Sequence, residues 1–196
     1  MSDVIGIASL FIAALSYGAY VFNIYRGKTK PHAITWLVWS ILNTLVFFEQ
    51  FESGAGAGAW VTGAAGIANF IIFVLALRYG ERNITRFDWL CLGLVATMLI
   101  FWSQVSDPLL VVVIAISIYL AGLFPTIRKA SQKAHEETAL TYGLNGFKFL
   151  LAFFALQTVT VVTALYPLTL FIVNILFTLY LLKARQQQVH VKRKRR

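Results

Sequence analysis

An all-α integral membrane fold is what this sequence predicts: seven transmembrane helices, arranged as two parallel three-helix bundles joined by a linker helix. Three observations carry that expectation. Hydrophobic residues make up 59% of the 196, and the mean hydropathy is +0.73, too apolar for a soluble domain of this size. The apolar runs approach or exceed the roughly 20 residues a helix needs to cross a bilayer, and they lack the sustained alternation of strands. The basic residues fall into alternate connections between the runs.

In chain order the spans are expected at 4–24, 34–51, 58–79, 88–103, 108–127, 139–158 and 163–183. The first follows Asp3, lacks a basic leader and is as long as a true span, so it does not read as a signal peptide. The second carries Trp36, Trp39, Asn43 and, near its outer end, Glu49. The third is preceded and filled by small residues, Gly54, Gly56, Gly58, Gly63 and Gly66 among alanines. Small residues let helices approach closely, either within the unit or in a homo-oligomer built on this helix. No Lys-Ser/Thr follows those glycines, so they are not a phosphate loop. The fourth span, from Asp88 to Trp102, resembles no other. The fifth ends in Phe124-Pro125-Thr126-Ile127-Arg128; the sixth holds Tyr142, Asn145 and Lys148; the seventh holds Asn174 and ends at Lys183. Glu136 and Glu137 read as helix-start acids that complement the dipole of the sixth helix.

Charge sets the orientation. Arg26, Lys28 and Lys30, then Arg78, Arg82 and Arg86, then Arg128, Lys129 and Lys133, then the tail from Lys183 onward, occupy alternate connections. The other connections carry Asp3, Glu52 and Asp107. Positive loops stay cytoplasmic, which predicts an outside N-terminus and a cytoplasmic C-terminus, with the plasma (inner) membrane as the expected location. The tail Lys192-Arg193-Lys194-Arg195-Arg196 reads as an anchor to anionic lipid heads rather than a nucleic-acid patch. Cys91 is alone, which excludes an intramolecular disulfide and a CxxC motif.

The chain also repeats itself. Phe22-Asn23-Ile24-Tyr25-Arg26, a basic turn, His32 and Asn43 are matched by Phe124 to Arg128, a basic turn, His135 and Asn145. Asn69 stands nine residues before Arg78, and Asn174 nine before Lys183. Three spans precede the odd fourth and three follow it, so the two units run parallel. The units are residues 1–84 and 107–185, with 85–106 as the linking span and 186–196 as a basic tail.

This three-one-three layout, with a turn after the first helix of each unit, resembles the SWEET and PQ-loop superfamily. The resemblance spans nearly the whole chain on few residues. The family's Pro-Gln pair is replaced by Asn23-Ile24 and Pro125-Thr126, and Pro125 alone matches its helix-breaking proline. The resemblance implies alternating access around a central pocket, Pro125 as a hinge, and Asn69 with Asn174 lining the pocket.

The residues themselves point the same way. An amide in hydrocarbon must bond to something, so Asn69, Asn174, Asn43 and Asn145 are expected to face the bundle interior. Either they bind solute or they bridge helices. Trp36, Trp39 and Asn43 share one helical face, an aromatic wall with an amide suited to a sugar-like solute. Trp36 reads as part of an interfacial belt. Lys148 lies mid-span, where a cation is costly and marks function by default, unless it snorkels. Glu49 is its expected ion-pair partner. His32 and His135 are too few for a metal site and read as caps or headgroup residues.

The resulting expectation is a facilitator for a small polar solute such as a sugar or vitamin-like molecule, without cofactor. A seven-helix receptor or sensor on the same fold is the alternative; a Schiff-base lysine is missing from the seventh span before Lys183. Motifs of hydrolases and metalloenzymes are absent, so enzymatic activity is not expected.

Overall fold

The computed structural model describes residues 1–194, with side chains to residue 188. The arginines and lysines of the tail, and their expected lipid contact, lie outside the described side chains. Among the described residues there are seven α-helices and no strand: α1 Ser2–Tyr25, α2 Ala33–Glu52, α3 Trp60–Tyr79, α4 Arg86–Trp102, α5 Pro108–Lys133, α6 Ala139–Phe154 and α7 Val161–Lys194. Five of them, all but α4 and α6, are long and apolar enough to cross a membrane. With 17 and 16 residues, α4 and α6 are shorter.

Local chemistry explains the boundaries. Thr85 and Asp88 form a reciprocal capping box that starts α4. Asp107 accepts from the Leu110 N–H at 2.8 Å, and Pro108 sits at the first helical position of α5. Thr160 and Thr163 cap each other's backbone N–H groups, at 2.9 and 3.2 Å. That pair opens α7 at Val161, two residues before the expected start, and residues 155–160 leave the helix. The sixth span is therefore a helix to Phe154 only, not to 158.

The fifth span departs most from expectation. Helix α5 runs through Pro125 to Lys133. A proline removes one backbone N–H and bends a helix, but packing on both sides can carry the helix onward. Arg128, Lys129 and Lys133 therefore ride on a helix rather than in a turn.

Helix α1 shows how the chain sorts its side chains. Gly6, Ser9, Ala13, Ser16, Tyr17, Tyr20 and Ile24 are buried. Val4, Ile7, Phe11, Leu15 and Phe22 are exposed. Small and hydroxyl-bearing residues face inward and large apolar ones outward, the reverse of a water-soluble protein and suited to a lipid surround.

The helices pack in a scheme with an internal correspondence. Helix α3 lies against both α1 and α2, and α7 against both α5 and α6. Across the molecule α1 packs on α6, and α2 packs on α5. These contacts are unchanged when α1, α2 and α3 are exchanged with α5, α6 and α7. Helix α4 stands outside the scheme, against α5 and lightly against α2.

The glycines of α3 are used inside the chain: a Cβ on Gly63 would meet the Phe47 ring at 2.9 Å, and one on Gly66 would meet Thr44 Oγ1 at 2.7 Å. Where α2 crosses α5, a Cβ on Gly122 would stand 2.7 Å from Val38 Cγ1. Substituting Gly122→Leu should therefore lower stability by about 1–3 kcal/mol through overpacking. Gly93→Ala, which meets nothing within 4 Å, should be neutral or stabilising. Thermal unfolding of the purified variants in detergent checks both.

Candidate functional site

Three layers of polar residues run through the bundle. At the end where α1 finishes and α5 finishes, the basic end, Glu137 is 1% exposed. Its carboxylate accepts the hydroxyls of Tyr20, at 3.0 Å, and Tyr142, at 3.1 Å, and pairs with the ammonium of Lys129. Lys129 also donates to the carbonyls of Lys30 and Glu136, so all three of its N–H donors are used. Arg185 of α7 donates to the carbonyls of Ala134 and Glu137. Around this pair, Thr29 and Asn23 bond Thr138, and Lys30 pairs with Glu136 at 2.7 Å. Lys133 pairs with Glu81 at 2.8 Å. The 26–32 turn and the end of α1 are thereby tied to the α5–α6 connection.

Glu137 is thus no surface acid at a helix start. It sits two residues before Ala139, sealed from solvent, where an unpaired carboxylate is prohibitively costly. Glu136, by contrast, is partly exposed in its pair with Lys30.

Asp88 organises the neighbouring contact. It accepts Arg128 Nε at 3.0 Å and Nη2 at 2.8 Å, together with the backbone N–H and hydroxyl of Thr85. His32 Nε2 stands 3.4 Å from the same carboxylate. His32 precedes α2 in the cap position, but its side chain makes no cap bond and is fully buried, rather than resting at a headgroup surface. Burial lowers its pKa, outweighing the attraction of Asp88, while Lys129 and Arg128 push in the same direction. His135 lies in the short turn Ala134–Glu136. No group of metal-ligating side chains occurs among the described residues.

The middle layer gathers most of the expected site. Trp39 stacks on Tyr119 at 4.9 Å and donates its indole N–H to the Tyr119 carbonyl at 3.2 Å. Asn174 donates to the Tyr119 hydroxyl at 2.9 Å and to the Leu170 carbonyl at 2.8 Å. Asn43 donates to the Trp39 carbonyl and accepts the Tyr166 hydroxyl, at 2.7 and 3.2 Å. On the α1–α6 seam Ser16 donates to Asn145 at 2.8 Å, and Lys148 donates to the Tyr17 hydroxyl at 2.8 Å. The Lys148 ammonium also lies 4.0 Å from the Tyr17 ring centre, a cation–π distance.

Some expected partners are not brought together. No ion pair joins Lys148 to Glu49 among the described residues; the ammonium turns to Tyr17, and Glu49 lies toward the other end. Neither Asn69 nor Asn174 bonds the other, and the buried Asn69 Oδ1 has no partner. Trp36 is core, not belt: it is 1% exposed and packs 4.7 Å from Tyr20 and 5.4 Å from Trp39. Pro125 lies inside α5, one turn before Lys129.

Apart from Tyr142, the buried tyrosines are what sequence reasoning missed. Tyr17, Tyr20, Tyr119, Tyr142 and Tyr166 are all buried, and their hydroxyls bond Asn43, Asn174, Lys148 and Glu137. A signal was present: Tyr17 and Tyr20 continue the small-residue stripe of α1 at three- and four-residue spacing. Gln50 was missed as well. It lines a recess at the opposite end with Glu49, Trp102 and Tyr166.

No protein-family model, curated protein or solved structure matches this chain. The site is read from its own geometry.

Two expectations follow. Removing one partner of the buried pair, by Lys129→Met or Glu137→Leu, should cost about 3–5 kcal/mol, whereas the double variant should lose far less than the sum; a double-mutant cycle of thermal stability measures this. For His32 the folded pKa lies below its ordinary 6.5, so the unfolded chain takes up the proton more readily. Its contribution is fully present above pH 6.5 and is lost as pH falls below that value. Melting profiles between pH 8 and 5 should decline on the acid side, and His32→Gln should flatten that decline.

Proposed function

We propose that this chain is an integral membrane transporter of the facilitator type, moving a small polar solute by alternating access between two three-helix units. Under this reading residues 1–84 and 107–185 are parallel repeats of the SWEET and PQ-loop kind, 85–106 is the linking span, and 186–196 is a basic cytoplasmic tail. The observation that carries it is the exchange correspondence in the packing: α1 on α6 is repeated as α5 on α2. Two units that meet through equivalent pairs of helices can rock about their shared seam while a site between them stays in place.

The two ends differ in a way that suits such a cycle. The basic end is shut by ion pairs and hydrogen bonds between the units, Lys30 with Glu136, Lys133 with Glu81, and Lys129 donating to the Lys30 carbonyl among them. The other end has a recess between α2, α5 and α7. To open the basic end, the last two turns of α5 must withdraw Lys129 from the Lys30 carbonyl. Pro125 is placed for that motion, because it leaves the Ala121 carbonyl without its helical partner one turn before Lys129. Trp39, Asn43, Asn145 and Asn174 then supply the aromatic wall and amides that a neutral polar solute would meet. A sugar or a vitamin-like molecule fits that chemistry.

Reconstituted proteoliposomes test the reading. Downhill exchange of labelled sugars or vitamins should proceed without an ion gradient, and Asn174→Ala should reduce it by about tenfold or more, the loss of one hydrogen-bonded contact. Backbone atoms of Lys30 and Glu136 bond directly, at 3.1 Å, so Lys30→Cys with Glu136→Cys, in a Cys91→Ala background, should form a disulfide. Oxidation should stop exchange and reduction restore it. Solute binding without flux in every case would favour a receptor.

A further inference from the structure

We propose that the recess at the acidic end is a binding site for a small organic ammonium ion with an aromatic or aliphatic body. Its walls come from α2, α5 and α7, with Trp102 closing it from α4. The recess volume is only about 10 Å³, about one water-sized sphere, so an occupant parts the helices as it enters.

The recess is lined mainly by apolar side chains, with few polar groups. Glu49 supplies a carboxylate, and no lysine or arginine lines the recess. Gln50 is 4% exposed, and neither its Oε1 nor its Nε2 has a partner. A buried amide with both ends unsatisfied costs free energy that a bound group recovers. Ser53 and Trp102 also line the recess, while two further polar groups are already committed. The Tyr166 hydroxyl donates to Asn43 Oδ1, and the Thr163 hydroxyl donates to the Thr158 carbonyl. Lys148 is on the α1–α6 seam, bonded to Tyr17, and does not line the recess.

A carboxylate with no ion pair among the described residues and an unpartnered amide oxygen, in a recess also lined by Trp102 and Tyr166, match an ammonium head. The N–H donors bond Gln50 Oε1, the charge is neutralised by Glu49, and the indole and phenol faces attract the cation and pack the body. A polyhydroxylated sugar would find too few polar partners here and an anion would meet Glu49. Tyr166 joins this recess to the middle layer through Asn43, so the site would be the outward station of the transport path. That role rests on the proposed function; the binding does not.

Phenethylammonium chloride and its neutral counterpart 2-phenylethanol separate the possibilities. Calorimetric titration of the full chain in nanodiscs should show saturable binding of the ammonium, about tenfold tighter than the alcohol, the equivalent of one charge contact. Glu49→Gln should erase that preference. Gln50→Leu should weaken ammonium binding about fivefold, as expected for one lost hydrogen bond to a charged group; thermal melts confirm that both variants fold. Equal binding of the two probes, binding of neither, or a preference that survives Glu49→Gln overturns the site. Ammonium that binds but is not moved in proteoliposomes counts against transport and leaves the site standing. Exchange of another solute without ammonium binding does the reverse.

Discussion

The buried pair of Lys129 and Glu137 is the constraint on which the rest of the structure hangs. Two charges withdrawn from water must neutralise each other and spend every remaining donor and acceptor, or the fold does not form. Meeting that demand recruits Tyr20 from α1, Tyr142 from α6, the Lys30 carbonyl from the first turn and the Glu136 carbonyl before α6. The demand thus closes one end of the bundle and sets the relation of α1 to α5 and α6. Arg128, bonded to Asp88 and to the Asn83 carbonyl, brings α4 and the 80–85 connection to the same end.

Above this plug the bundle is filled by aromatic rings rather than by an open chamber. Trp36, Trp39, Tyr119 and Tyr142 pack against one another; the Tyr119 hydroxyl accepts from Asn174, and the Trp39 carbonyl accepts from Asn43. Rings of this size give the middle of the molecule rigidity and a ready-made surface for a flat solute. The small residues Gly66 and Gly122 serve the same end, because they let α3 and α5 approach α2 closely enough for the rings to interlock.

Much of this was legible in the sequence. The apolar runs and their order, the inward direction of the asparagines, and the aromatic face of Trp39 and Asn43 all follow from the cost of polar groups in hydrocarbon. Three readings failed for identifiable reasons. Pro125 suggested a helix end, but a proline only removes one bond, and the packing of α5 restores the rest. Glu137 suggested only an acid complementing the helix dipole, because that argument sees only the local helix, while its partners lie on α1, α5 and α6. Trp36 looked like a belt residue because depth was judged from the span's edge, and the turn and α1 that cover it are distant in sequence.

The sequence by itself determined what is local or one-dimensional: helix content, approximate helix limits, and the separation of basic from acidic segments. Tertiary structure alone decided the partners. That Lys148 meets Tyr17 rather than Glu49, that Asn174 meets Tyr119, and that Gln50 is left unbonded in a recess depend on how seven helices settle against one another. The physical reason is that a buried polar group is satisfied by whichever donor or acceptor the packing brings within about 3 Å, and spacing along the chain does not encode that distance.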